Sequence, residues 1–368
     1  MAHLSQGTIP AARLGSLGAS YDQLMASDAF YKVDLVALNN SGVIGGAFLA
    51  LDFETNMLTV ITAAAGVEAG QIHPQHIHGF PSATQDANVP SIAQDDDGDG
   101  FVELIEGFET YGPVLLNLTS PAGAGAEGFP APTDGDFVFL QSYDLDALMF
   151  DQDPDDATPA VALSQILTGD NLVSREIVLH GQSLREGQGS GEGEADGTAG
   201  YKLVLPIAAG EIEALSGEEV AYQFGAGRFQ AGDLVAALDV QGNAGQAFRL
   251  FDVFDRDPDR AGLSSWVEFL DEGGSLASMA SAFLLSNEFA TKFGAASALS
   301  NEEYVNILFA NVLDREADAE GAAFWSGQLD AGLSREAALV AFTESAENQA
   351  QVAPQISAGI LLDATTII

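Results

Sequence analysis

A repeat constrains this sequence most. The segments FDRDPDRAGLSSW (254–266) and LDREADAEGAAFW (313–325) align without a gap. Asp255, Arg256, Asp259, Gly262, Trp266, Leu270, Gly273, Ser275, Phe283, Ser286 and Glu288 recur 59 residues later. Their partners are Asp314, Arg315, Asp318, Gly321, Trp325, Leu329, Gly332, Ser334, Phe342, Ser345 and Glu347. One offset held over so many positions is an internal duplication. Ala, Leu and Phe fall at three- and four-residue spacing here, which predicts helices over 246–349. Each copy is expected to bury its apolar face on the other, with Trp266 and Trp325 as core anchors. Asp259 and Asp318 are expected as helix N-caps, with Arg256 and Arg315 pairing locally.

The first half has a different texture. YKVDLVAL (31–38), VIGGAFLALDF (43–53), MLTVITAAA (57–65), FVFLQSY (137–143), SREIVLHG (174–181) and YKLVLPI (201–207) are rich in β-branched and small residues. Turn formers such as Asn39-Asn40-Ser41-Gly42 separate them, and 119–136 and 182–200 are long Gly-, Pro- and Asp-rich loops. Many short strands with long loops predict an antiparallel β-sandwich. The chain thus divides into an N-terminal extension (1–29), a sandwich (30–212), a linker (213–245), the duplicated helical domain (246–349) and a tail (350–368). The fold class is α+β, multidomain.

Charge narrows the partners. Lys and Arg number 12 against 54 Asp and Glu, a net charge of −42. Nucleic acid and anionic membranes are polyanions, so both are disfavoured, while cations are favoured. There is no cysteine, hence no disulfide and no thiolate metal site. No apolar run approaches the length that spans a membrane, so no membrane insertion is expected.

Residues 95–106, DDDGDGFVELIE, place Asp95, Asp97, Asp99, Gly100 and Glu106 at positions 1, 3, 5, 6 and 12 of an EF-hand-type calcium loop. Ca²⁺ takes several oxygens at once, and alternate side chains of a tight loop converge on one point. Gly100 permits the bend, Phe101 offers its carbonyl, and Glu106 closes the site. The residues before Asp95 are not helical in pattern, so a structural Ca²⁺ with an exiting helix (102–110) is expected rather than a switch. Asp151, Asp153, Asp155 and Asp156 form a weaker acidic cluster without a closing Glu. Asp255, Asp257 and Asp259 fail the same pattern, because position 12 is Trp.

Five histidines occur, three of them in HPQHIHG (73–79). On a strand His76 and His78 share a face. With His180 from another apolar strand they make a three-nitrogen set that suits copper or zinc. His73 offers a fourth nitrogen. No nucleophile elbow, zincin, Walker A or dinucleotide signature is present.

These segments resemble known families. Residues 31–80 and 174–207 resemble the Cu/Zn superoxide dismutase sandwich and the related chordin-type (CHRD) domain. The H-I-H-G motif and SREIVLHGQSL carry the likeness. It implies His76, His78 and His180 as Cu²⁺ ligands and Lys202 as an anion guide. The sequence departs from the dismutases: no histidine lies between 79 and 179, and the paired cysteines are missing. Residues 30–210 also hold four basic residues against 27 acids, which opposes capture of the superoxide anion. The duplicated unit resembles a bacterial domain of unknown function that occurs as paired helical repeats in secreted, calcium-associated surface proteins. The closing LLDATTII is similar to a type I secretion signal, and the N-terminus lacks the layout of a cleaved signal peptide.

The expectation is therefore a calcium-binding protein exported to the cell surface or extracellular matrix. It would act through self-assembly or binding to other surface components, with no catalysis assigned. The alternative is a copper-binding, dismutase-like protein for metal handling or superoxide dismutation.

Overall fold

A computed structural model describes residues 26–82, 85–151, 159–189, 193–216, 234–237 and 240–363. An antiparallel β region precedes a helical region, and the two form separate compact units.

The β unit begins with β1 (Ala29–Ala37), β2 (Ile44–Asp52) and β3 (Met57–Ala65). Next come β4 (Gln75–His78), helix α1 (Leu104–Tyr111), β5 (Val114–Asn117) and β6 (Asp136–Asp144). A small hairpin follows, β7 (Met149–Phe150) and β8 (Val161–Ala162), then the short helix α2 (Gly169–Leu172). Strands β9 (Glu176–Leu184), β10 (Gly200–Glu211) and β11 (Glu213–Leu215) complete it. The strands join in one path, β5-β4-β9-β10-β1-β2-β3-β6, with β11 also on β1. Strand β1 turns the corner: its first half pairs with β2 and β11, and Val36 and Ala37 pair with β10.

The path curls so that two layers enclose one core. Leu49, Leu58, Val60, Phe137 and Phe139 from one layer pack with Ile77, Leu116, Ile177, Leu179 and Ile207 from the other. Strands β2 and β3 are buried along nearly their whole length, which explains their continuous apolar text rather than an alternation. Tyr143 is fully buried and donates its hydroxyl to Thr119 O at 3.1 Å, so a polar atom inside the core is satisfied. The turn after β1 uses Asn39 and Asn40 at positive φ, a conformation Asn tolerates. Asn39 also donates to Val102 O and Pro206 O and accepts from Val102 N, which fixes the approach to α1.

The helical unit contains α3 (Asn243–Leu250), α4 (Arg260–Asp271), α5 (Leu276–Leu284), α6 (Asn287–Phe293), α7 (Asn301–Val312), α8 (Ala319–Asp330), α9 (Arg335–Thr343) and α10 (Ala346–Ile356). Helices α4 to α6 recur as α8 to α10 at the sequence offset, and α5 packs on α9 across the duplication. Asp259 and Asp318 cap α4 and α8, accepting from Gly262 N and Gly321 N. Ser275, Ser334, Ser286 and Ser345 cap the next helices in each copy.

Some expectations need correcting. Arg256 and Arg315 pair chiefly across their own repeat, with Glu288 at 2.7 Å and Glu347 at 2.6 Å. Trp266 and Trp325 are only half-buried and lie against Phe283 and Phe342, which are the buried anchors. A tryptophan is too large to be enclosed in so small a repeat. The interval taken for a linker starts with β11, paired to β1, and residues 217–233 lie outside the described residues. The tail carries α10 through Ile356, then a strand, Ile360–Asp363, held to α4 by Arg260–Asp363 at 2.6 Å and by Asp363 N donating to Ser264 Oγ. Asp153, Asp155 and Asp156, residues 1–25 and residues 364–368 lie outside the described residues. No described helix is long and apolar enough to cross a membrane.

Candidate metal centre

Strand β4 is four residues long, and it is inserted between β5 and β9. His76 faces Val178 and His78 faces Glu176 across the β4–β9 pair. His180, further along β9, donates its backbone N–H to Pro74 O at 2.8 Å. The two-residue period puts His76, His78 and His180 on one side of the sheet. Their ring centroids stand 5.4, 5.1 and 5.9 Å apart. One ring nitrogen from each lies within 4.8 Å of the other two.

Hydrogen bonds fix the tautomers of His78 and His180. His78 Nδ1 lies 2.9 Å from Gly112 O, and His180 Nδ1 lies 2.7 Å from Val204 O. A carbonyl only accepts, so both Nδ1 atoms carry the proton and both Nε2 atoms present a bare lone pair. His78 Nε2, His180 Nε2 and His76 Nδ1 are buried and have no hydrogen-bond partner. Val204 owes its position to an irregularity in the β9–β10 register around Pro206. Gly181, next to His180, has φ +107, and a Cβ there would meet the Tyr201 hydroxyl at 2.0 Å. Burial makes the rings hard to protonate. His78 is pushed down to about 3 by burial and then by the charge of His180. Burial pushes His180 down to about 4. His76 falls well below the ordinary histidine value, first through burial and then through His180 and His78. The phenol ring of Tyr111 lies 4.7 Å from His78, and Phe129 lies 5.3 Å from His76.

His73 does not join them. Its Nε2 lies 2.9 Å from Glu68 O, and its Nδ1 lies 3.1 Å from His180 O and 3.3 Å from the Tyr201 hydroxyl, so both nitrogens face partners outside the histidine group. The expected fourth nitrogen is thus absent, because the chain at Ile72 and His73 is tied down by Tyr201, which donates to Ile72 O. Lys202 pairs with Asp196 Oδ1 at 2.5 Å and donates to Thr198 Oγ1 at 3.0 Å. Its charge is neutralised locally, which opposes the guiding role.

The acidic loop converges in part. Carboxylate oxygens of Asp95, Asp97 and Asp99 lie within 4.8 Å of one another. Asp95 accepts from Gly98, Asp99 and Gly100 N–H groups, and Gly100 makes the bend at φ +95. Glu106 folds back onto the loop, accepting from Asp96 N at 2.7 Å and Glu103 N at 2.9 Å. It is not part of the three-carboxylate group. The Phe101 side chain anchors the loop in a cluster with Leu184, Ala195 and Leu205.

Two acids escaped the sequence reading. Glu103 is buried, accepts from Ala195 N, and is pushed up to about 7 by burial, with Glu194, Asp99 and Glu106 adding to the rise. Glu176 is fully buried and pushed up to about 8, by burial and then by Glu211. The one available signal was a glutamate interrupting the apolar text EIVLHG.

Residues 251–293 and 280–352 match the family described as Domain of unknown function (DUF4214), so the match covers the two helical repeats. No curated protein matches the chain.

Proposed function

We propose that the β unit is a copper-binding module of an exported surface protein, with His76, His78 and His180 as the ligands. The observation that carries this reading is a buried ring nitrogen without a hydrogen-bond partner on each of three histidines, whose rings bring one nitrogen apiece within 4.8 Å of the other two. Three buried polar nitrogens left without a partner are costly. A cation removes that cost, and imidazole suits copper and zinc. The low proton affinity of the rings keeps them in the neutral form a metal needs. The carbonyls of Gly112 and Val204 act as the outer partners that fix ring orientation. The likeness of this region to the dismutase and chordin-type sandwiches points the same way.

Metal holding fits better than superoxide turnover. The unit is acidic, and Lys202 is already paired. The residues that bridge a second metal in dismutases have no counterpart here. The test is elemental analysis of the whole protein after exposure to copper or zinc. One copper per chain is expected, lost in His180→Ala. Binding that is absent, or that survives the substitution, refutes the reading.

A second reading concerns Ca²⁺ at Asp95, Asp97 and Asp99. What favours it is the convergence of three carboxylates, one of them oriented by three N–H groups. Calcium here is structural: Glu106 of the loop also sits in the first turn of α1 and accepts from Glu103 N. The matching helical repeats would serve attachment or self-assembly at the cell surface, outside the membrane.

A further inference from the structure

Glu176 opens β9 directly across from His78. Alternate residues of a strand share a face, so Glu176, Val178 and His180 lie on one side, with His76 and His78 beside them. Facing side chains of an antiparallel pair have Cβ atoms about 5 Å apart. Glu176 is therefore the carboxylate next to the histidine group, one row along the sheet.

Its surroundings do not account for it. Glu176 is 0 % exposed, and neither Oε atom has a hydrogen-bond partner. Buried carboxylates are ordinarily paired or hydrogen-bonded, because the bare charge is costly to desolvate. Glu211, of the same sign, adds to the cost of ionising Glu176. Tyr111, at the end of α1, packs in one cluster with Val178, which lies between Glu176 and His180 on this face of β9, and its ring lies against His78.

The histidine group has the opposite deficit. Three neutral imidazoles holding a divalent ion leave two positive charges in the interior. A monovalent ion leaves one. We infer that Glu176 supplies the negative charge of the histidine site and so selects a divalent over a monovalent ion there. This inference rests on the copper reading above.

The test measures Cu²⁺ and Cu⁺ binding to the full chain and to Glu176→Gln, each by competition with a chelator of known affinity. Zn²⁺ serves as a divalent ion without redox chemistry. One unit of charge at a few ångströms changes divalent affinity about tenfold or more. Glu176→Gln is expected to weaken Cu²⁺ and Zn²⁺ by that factor and Cu⁺ clearly less, so the Cu²⁺/Cu⁺ preference falls. Glu176→Asp keeps the charge and is expected to retain the preference. The paramagnetic spectrum of bound Cu²⁺ is expected to shift in the Gln variant. The metal-free Gln variant is expected to melt no lower than the wild type, since it removes an unpartnered buried carboxyl group. A Cu²⁺/Cu⁺ preference unchanged in Glu176→Gln overturns the inference. Failure of the wild type to bind any of these ions overturns the copper reading instead.

Discussion

Asp252 shows how much one carboxylate contributes when it loses water. It is half-buried beside the Arg249–Glu344 ion pair and accepts from Asn348 Nδ2 at 2.8 Å. Burial pushes it up to about 7, with Asp257 and Glu344 opposing ionisation further. An unfolded aspartate titrates near 3.9. Between about 4 and 7 the folded chain therefore holds more protons than the unfolded one, and stability falls as pH rises through that window. Above pH 7 the loss is complete. Asp252→Asn keeps an oxygen for Asn348 and removes the charge. Urea denaturation should find this variant more stable than the wild type at pH 8, by on the order of 2 kcal/mol. The two should coincide near pH 4. Equal stability at both pH values would show that Asp252 is not strained. Such acids were not legible in the sequence. Nothing marks Asp252 or Glu103 among 54 acids, and only the apolar text around it marks Glu176, because burial is set by tertiary packing. The histidines were legible because they are few and two stand at strand spacing. His73 was misread because sequence proximity does not show what its ring nitrogens bond.

At the scale of elements, the repeated residues each perform a task. Asp255 and Asp314 adopt positive φ to end a turn. Asp259 and Asp318 cap the next helix, and Phe283 and Phe342 fill the core. The Arg256–Glu288 and Arg315–Glu347 pairs are solvent-exposed, so each is worth about 0–1 kcal/mol. The caps are worth about 1 kcal/mol each. Asp259→Ala and Asp318→Ala should each lower unfolding free energy by about 1 kcal/mol. The caps are far apart in sequence and bond to different helices, so the double variant should add the two effects. A cap variant as stable as the wild type would contradict the assignment. The strands were readable where they are long: β3 falls at 57–65 as its text implies. Strand β5 was not, because VLLN is too short to show a period and is a strand through its pairing with β4. The corner in β1 was equally invisible, since it depends on which strands flank each half.

For the whole molecule, the change from strand text to helical text matches a β region followed by a helical region, because residue periods survive without knowledge of the packing. The consequence of a net charge of −42 is less direct. Repulsion of this size destabilises any compact state, and salt screens it over about 10 Å at 0.1 M. Sodium chloride should therefore raise the melting temperature of both units. Calcium should do something that screening does not. If the Asp95–Asp97–Asp99 loop binds it, folding of the β unit gains about 2.7 kcal/mol at one hundred times the dissociation constant. At matched ionic strength, calorimetry should show calcium raising the β-unit transition beyond sodium. The helical transition should respond to both salts alike. Asp97→Asn should remove the calcium increment and leave the sodium effect, since it alters one charge in 54 acids but one ligand in three. A calcium increment that persists in Asp97→Asn would assign the effect to the diffuse surface charge, and the loop would then be an acidic turn without a metal.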